Sequence, residues 1–275
     1  MLEAWNGEEG EVWARDWARY DRSVAGYTDP LLDAAAIEPH HLVLDVGCGT
    51  GELTRAAGRR AAHGAAVGVD LSGRMLEQAR ALTAQQGPAN VDYLQEDAQT
   101  VAFEQPFHRV VSRFGVMFFA DPVAAFGNLG HALRPGGRLV AVVWRGLADN
   151  RWLREVWDVL DPDRVVPRPA PGSPGPLGLA DAATTARLLD RTGFVEVSVE
   201  PVDAPFFTGR DVDDALTWVR RLGLVRGLGG RLDPAARERA LARLRALLAE
   251  HETADGVLLD SAAWLVRGSR PGTNG

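Results

Sequence analysis

From Leu42 to Trp144 the chain alternates short apolar runs with longer segments whose apolar residues recur at helical spacing. Leu42-Val43-Leu44-Asp45-Val46 is a β-branched run ending in glycines, the pattern of a strand buried on both faces. A helix over 52–63 is predicted next, then a strand over 66–70. The segment 72–86 opens on Ser72 and places Met75, Leu76, Ala79 and Leu82 on one helical face. Strands follow over 91–94 and 109–112. The segment 122–133 predicts a helix with Pro122 in its first turn. Pro135-Gly136-Gly137 predicts a turn and 138–144 a fifth strand. Further on, 180–192 reads as a helix, 194–199 as a sixth strand, and 256–266 as a seventh, antiparallel at or near the sheet edge. Strand and helix alternating in this way predict an α/β fold, a doubly wound, mostly parallel seven-stranded sheet.

The remaining residues read as coverings of a single domain spanning 1–275. An N-terminal helical cap over 1–36 carries Trp5, Trp13, Trp17 and Tyr20, ahead of a core over 37–145. The region 146–180 holds Pro162, Pro167, Pro169, Pro171, Pro174 and Pro176 and is expected to form a lid, because structureless stretches of this length are uncommon in compact domains unless functional. A core helix and strand occupy 181–201, a helical insertion 202–255 with helices at 212–222 and 234–250, and the last strand 256–270.

With 46% hydrophobic and 24% charged residues, the chain has the composition of a folded globular protein. The balance of 30 basic and 37 acidic residues leaves a formal charge of −7, which argues against nucleic acid as the main partner. No apolar run reaches the roughly 20 residues that span a bilayer, and the acidic start lacks the basic and apolar regions of a secretory signal. A cytoplasmic protein without membrane attachment is expected. Cys48 is the only cysteine, so an intrachain disulfide is excluded and no metal site is expected.

The chemistry points to Asp45-Val46-Gly47-Cys48-Gly49-Thr50-Gly51, between the first strand and the first helix. Alternate glycines let the backbone turn tightly and let a ligand approach closely, with a helix N-terminus behind them. A dinucleotide site would want Gly-x-Gly-x-x-Gly, but the third place is Glu52, whose carboxylate would repel a pyrophosphate. Together with Asp45 it suits a cationic ligand better.

The segment Val43-Leu44-Asp45-Val46-Gly47-Cys48-Gly49-Thr50-Gly51 resembles the signature of class I S-adenosylmethionine-dependent methyltransferases, in their small-molecule branch of ubiquinone/menaquinone-type and natural-product enzymes. The resemblance is strong over about residues 40–145. It implies a Rossmann-like methyltransferase fold with S-adenosyl-L-methionine held by Asp45, Gly47, Cys48, Gly49 and Gly51 in the loop. It further implies ribose contacts from Asp70 with Leu71 beside it, adenine contacts from Met75, Asp97 and Ala98, and Arg113 and Phe114 beside the methionine part. A carboxylate accepts two hydrogen bonds from a cis-diol, so the role for Asp70 is chemically sound. One departure stands out. After the fourth strand quinone-type relatives often carry Asn or His, whereas this chain reads Phe114-Gly115-Val116-Met117-Phe118-Phe119, which argues against quinone biosynthesis.

The implied activity is methyl transfer to O, N or C of a small organic acceptor, in the manner of natural-product biosynthesis, by a monomer or homodimer. The alternatives are non-methylating chemistry, such as cyclisation or rearrangement, on the same cofactor site, and an NAD-dependent oxidoreductase. An acceptor hydroxyl would need a general base. Of the six histidines, His40, His41 and His108 precede strands and so lie at the wrong end of the sheet. His63, His131 and His251 sit at or near helix ends; Asp121, Asp149 and Asn150 follow carboxyl ends of strands. None is singled out as catalytic.

Overall fold

A computed structural model describes residues 14–160, 173–222 and 233–272. Trp5 and Trp13, and the prolines at 162, 167, 169 and 171, lie outside the described residues. The first five strands are β1 (Leu42–Val46), β2 (Ala65–Asp70), β3 (Val91–Gln95), β4 (Phe107–Arg113) and β5 (Leu133–Trp144). They are followed by β6 (Val195–Gly209), the short β7 (Glu252–Thr253) and β8 (Gly256–Ser269). The sheet runs β3-β2-β1-β4-β5-β8-β6, with β7 paired outside that path to β8. Strands β1 to β5 are parallel; β8 is antiparallel to both β5 and β6. β1 pairs with β2 on one side and β4 on the other, so the strand order reverses there and opens a crevice at the carboxyl ends.

The helices are α1 (Trp17–Ser23), α2 (Thr28–Ala35), α3 (Glu52–Arg60), α4 (Gly73–Gln86), α5 (Pro122–Ala132), α6 (Arg151–Leu160), α7 (Ala182–Arg191), α8 (Val212–Val219) and α9 (Pro234–Glu250). Their starts follow local chemistry. Ser72, Asp121, Asp181, Asp211 and Asp233 each accept a backbone N–H of the first turn, the capping geometry expected of these residue types.

Tertiary contacts moved several expected boundaries. The Pro135-Gly136-Gly137 turn is absorbed into β5, where a register shift opposite residues 107–109 and the left-handed Gly136 (φ +72°) take up the bend. β6 continues ten residues past its expected end, paired with β8 as far as Gly209↔Val257. As the edge strand it tolerates Pro201 and Pro205, which lack ladder donors. β8 lies inside it, second from the edge. Helix α6 was not anticipated; its region reads as lid from the proline-rich stretch that follows it. The expected helix ends at 63 and 222 retreat to Arg60 and Val219.

Burial divides the molecule into layers. Leu44, Val46, Val110, Leu129, Leu139 and Val143 fill one face of the sheet; Leu31, Val43, Leu53, Val111, Val140 and Val142 fill the other. A third cluster stands apart: Val156, Ala215, Val219, Leu244, Leu248 and Leu259 join α6, α8 and α9 to the outer ends of β6 and β8. The long β6–β8 hairpin thus carries a helical cap with its own core. Among the described residues no helix is long and apolar enough to cross a membrane.

Candidate functional site

The glycine loop takes its shape from backbone conformation. Gly47, Gly49 and Gly51 have φ of +67°, +53° and +76°, the left-handed region that a Cβ disfavours. Close packing closes the remaining freedom. A Cβ on Gly47 would lie 2.7 Å from Cα of Gly115, and one on Gly51 2.1 Å from the Tyr93 hydroxyl. Gly47 and Cys48 donate their N–H groups to the Val69 carbonyl, fastening the loop to β2.

Asp70 ends β2 beside this loop. Its Oδ2 accepts the Gly49 N–H at 2.8 Å and its Oδ1 the Ser72 N–H at 2.9 Å, with the Leu71 N–H also acting on the carboxylate, which retains acceptor capacity. Burial raises its pKa from the ordinary value of 3.8, against the lowering effect of the backbone donors. Met75 packs on the other flank, with its Sδ 3.8 Å from where a Cβ of Gly49 would be. Asp97, after β3, accepts the Gln99 N–H on Oδ1, and its Oδ2 has no partner among the described residues. The Ala98 carbonyl is held by the Asn128 amide at 2.9 Å. Gly47, Gly49, Gly51, Asp70, Leu71, Met75, Asp97 and Ala98 therefore gather at the carboxyl ends of β1, β2 and β3.

Three expected contributors are placed differently. Asp45 is 1% exposed, lies under the loop and accepts the Thr54 hydroxyl at 2.6 Å. Burial pushes its pKa up to about 7, and its position beneath the loop keeps the carboxyl away from a ligand in the crevice. The Cys48 side chain is buried against Gly68, Leu76 and Tyr93, leaving its main chain to the loop, and burial pushes the thiol well above its ordinary range. Arg113 is committed to protein acceptors: it donates to Glu52 at 2.6 Å, Thr28 at 2.6 Å and Asp21 at 2.9 Å. Thr50 donates to the other oxygen of Asp21 at 3.3 Å. Asp21 is raised above 3.8, chiefly by burial, with Arg113 opposing. Helix α1 is thereby tied across the mouth of the loop. Sequence reading missed Asp21, Thr28 and Tyr27, and counted Glu52 only as an argument against a pyrophosphate. The only available signal was an Asp and an Arg 92 residues apart, which nothing along the chain connects.

Phe114 has φ +61°, unusual for a bulky residue and worth about 1–2 kcal/mol of strain. Its ring stacks on Trp144 at 3.9 Å and 19°, and Tyr27 meets both rings edge-on.

The residues weighed as bases are mostly occupied. Asn150 is buried, with its amide donating to Arg145 O and accepting the Ala262 N–H. Asp121 caps α5 and Asp149 pairs with Arg145. Glu38, His40 and His41 bring potential ligand atoms within 4.8 Å of one another. However, His41 Nδ1 accepts the Glu38 N–H and His108 Nδ1 the Leu42 N–H, which leaves each ring's proton on Nε2. For His41 that is the atom a metal would need. Burial lowers His41 to about 4 and also lowers His108, so both rings are neutral near pH 7.

Residues 43–137 match a family model described as a methyltransferase domain. That segment contains the loop, Asp70, Asp97, Arg113 and Phe114, so the resemblance read from those motifs holds over residues 43–137. An uncharacterized protein of Mycobacterium tuberculosis (strain ATCC 25618 / H37Rv) is 35% identical over 136 residues, 48% of this chain and 48% of its own. A ubiquinone/menaquinone biosynthesis C-methyltransferase of Ruegeria sp. (strain TM1040) is 31% identical over 144 residues, 52% of this chain and 57% of its own. Aklanonic acid methyltransferase of Streptomyces sp. (strain C5) is 32% identical over 126 residues, 44% and 57%. The alignments thus span about half the length of these curated relatives. Two solved structures share the fold: phosphoethanolamine N-methyltransferase 2 of Haemonchus contortus, with S-adenosyl-L-methionine bound (TM-score 0.59, 18% identity, 98% of this chain and 59% of that one), and the cyclase SpnF (TM-score 0.55, 19%, 90% and 80%).

Proposed function

We propose that this chain is an S-adenosylmethionine-dependent methyltransferase that moves a methyl group to O, N or C of a small organic acceptor, in secondary metabolism, as a cytoplasmic monomer or homodimer. The observation that carries this reading is Asp70 beside the left-handed glycine loop. Its two oxygens are positioned by loop and turn N–H groups, and the carboxylate keeps acceptor capacity for a ribose hydroxyl. The cradle fits such a nucleoside: Gly47 and Gly51, where a side chain is excluded, an apolar Met75 flank and the half-satisfied carboxylate of Asp97.

Bound there, S-adenosylmethionine supplies a methyl group on a sulfonium that leaves as a neutral thioether. The protein's share is then alignment and exclusion of water. The loop fixes the cofactor side, Gly115 forms the floor next to Gly47, and α1, fastened through Asp21 and Arg113, covers the mouth. Calorimetry with S-adenosylhomocysteine tests the reading. Binding is expected, and Asp70→Ala should weaken it at least tenfold, about 1.4 kcal/mol. No heat from folded protein would overturn it.

A second reading keeps the cofactor but replaces methylation by cyclisation or rearrangement. It draws on the shared fold with SpnF. Product mass separates the two: gain of one methyl supports the first, an isomer of the substrate the second.

A further inference from the structure

Helix α1 is bonded to two parts of the molecule at once. On one side it joins the cap of the β6–β8 hairpin. It packs along β6, Tyr20 meets Trp218 of α8 edge-on at 4.6 Å, and Arg22 lies over the Phe207 ring at 3.9 Å. Ion pairs hold the same side: Arg19 pairs with Asp214, and Asp16, just ahead of the helix, with Arg221 at 3.2 Å. Asp21 reaches the opposite way. Its Oδ1 accepts from Arg113 at 2.9 Å and its Oδ2 from Thr50, the residue between Gly49 and Gly51. Arg113 in turn donates to Glu52, the first residue of α3 behind the loop. Both partners of Asp21 thus depend on how the glycine loop is set, one lying in it and the other held by the residue that follows it.

We infer that α1 is a strap coupling the glycine loop to the cap, with Asp21 as its link, so that occupation of the loop tightens α8; the coupling rests on the cofactor reading for what occupies the loop. Around Gly49 the loop has room, since an added Cβ would meet only the Met75 Sδ, at 3.8 Å. A ligand lying there removes backbone freedom on one side of Thr50. The bonds of Asp21 then no longer bear the entropy of ordering their partners, and α1 is held more firmly. Arg19, Tyr20 and Arg22 carry that gain to the cap. Such a coupling is reciprocal: loosening α1 from the cap weakens binding at the loop by the same factor.

The test combines hydrogen exchange and calorimetry on the full chain with S-adenosylhomocysteine. Saturating ligand should slow exchange in α8 of the wild type at least about threefold more than in α7, the reference for global unfolding. Asp21→Ala should keep the slowing in the loop and lose the excess in α8. Arg19→Met changes only the cap end of the strap, yet it should raise the ligand's Kd about threefold. In the Asp21→Ala background it should add nothing, because both substitutions cut one connection. An Arg19 serving local stability alone would leave the Kd unchanged. The strap is overturned by equal slowing in α8 and α7, by an unchanged Kd in Arg19→Met, or by additive losses in the double variant. If Asp21→Ala fails to fold, the wild-type exchange and the Arg19→Met affinity decide. Ligand heat without the α8 response removes the strap and spares the cofactor reading; no heat removes both.

Discussion

The two ends of the crevice are built by different means. On the β1–β3 side the shape comes from backbone: glycines in left-handed conformations, a carboxylate on loop N–H groups, and close approach of Gly47 to Gly115. On the side of α6, α8 and the β6–β8 hairpin it comes from side chains, stacked rings and ion pairs between segments far apart in sequence. The backbone side permits little variation at Gly47, where an added methyl meets the Gly115 main chain, and at Gly51, where it meets Tyr93. The cap side can exchange one ring or one pair for another and keep its packing. A cofactor common to many enzymes would demand the first kind of construction, and an acceptor peculiar to one enzyme the second.

The largest expected effect lies on the backbone side. Gly47→Ala must place a Cβ 2.7 Å from Gly115 Cα at φ +67°. Overpacking and left-handed strain together predict a loss of roughly 2–4 kcal/mol in thermal or denaturant unfolding, with cofactor affinity lost alongside. A variant as stable as wild type would show that the loop has more room than its contacts imply.

Next is the clasp between the two sides. Arg113→Met leaves Asp21 and Glu52 facing each other without their shared cation, in a setting where the Arg113 side chain is only 9% exposed. A loss of about 2–3 kcal/mol is expected, with Asp21→Asn smaller because Arg113 retains Glu52. Limited proteolysis near α1 should accelerate in both; unchanged digestion would mean that α1 is held by apolar contacts instead.

A third test uses pH. Asp45 has its pKa raised by burial to about 7, so the stability of its neutral form is complete below the ordinary 3.8 and is lost as pH rises through about 7. His41, lowered by burial to about 4, acts in the opposite sense: its contribution is complete above 6.5 and is lost as pH falls toward 4. Asp45→Asn should therefore gain melting temperature relative to wild type between pH 5 and 8, most at pH 8. A difference independent of pH would mean that Asp45 is ionised in the folded protein.

The smallest effects lie at the outer contacts of the cap. Arg19 pairs with Asp214, and Tyr20 meets Trp218 edge-on at 4.6 Å, joining α1 to α8. Removing the Arg19 charge should cost about 1 kcal/mol or less, and exposed Arg245–Asp213 is expected to contribute nothing measurable. If raised salt destabilised the protein as much as Arg113→Met, these surface pairs would matter more than their exposure allows.

By itself, the sequence determined what depends on neighbours along the chain. The glycines at 47, 49 and 51, the acids ending β2 and following β3, the strand–helix alternation and the helix caps all arise from local backbone and periodicity. Folding alone decided what depends on distant partners. It buried Asp45 beneath its own loop, withdrew Arg113 into a clasp with Asp21, extended β6 by pairing it with β8, and carried α6 to where Trp152 meets Phe206. Those outcomes are set by which surfaces pack together, and the energy of a packed pair is not written in the spacing of either partner.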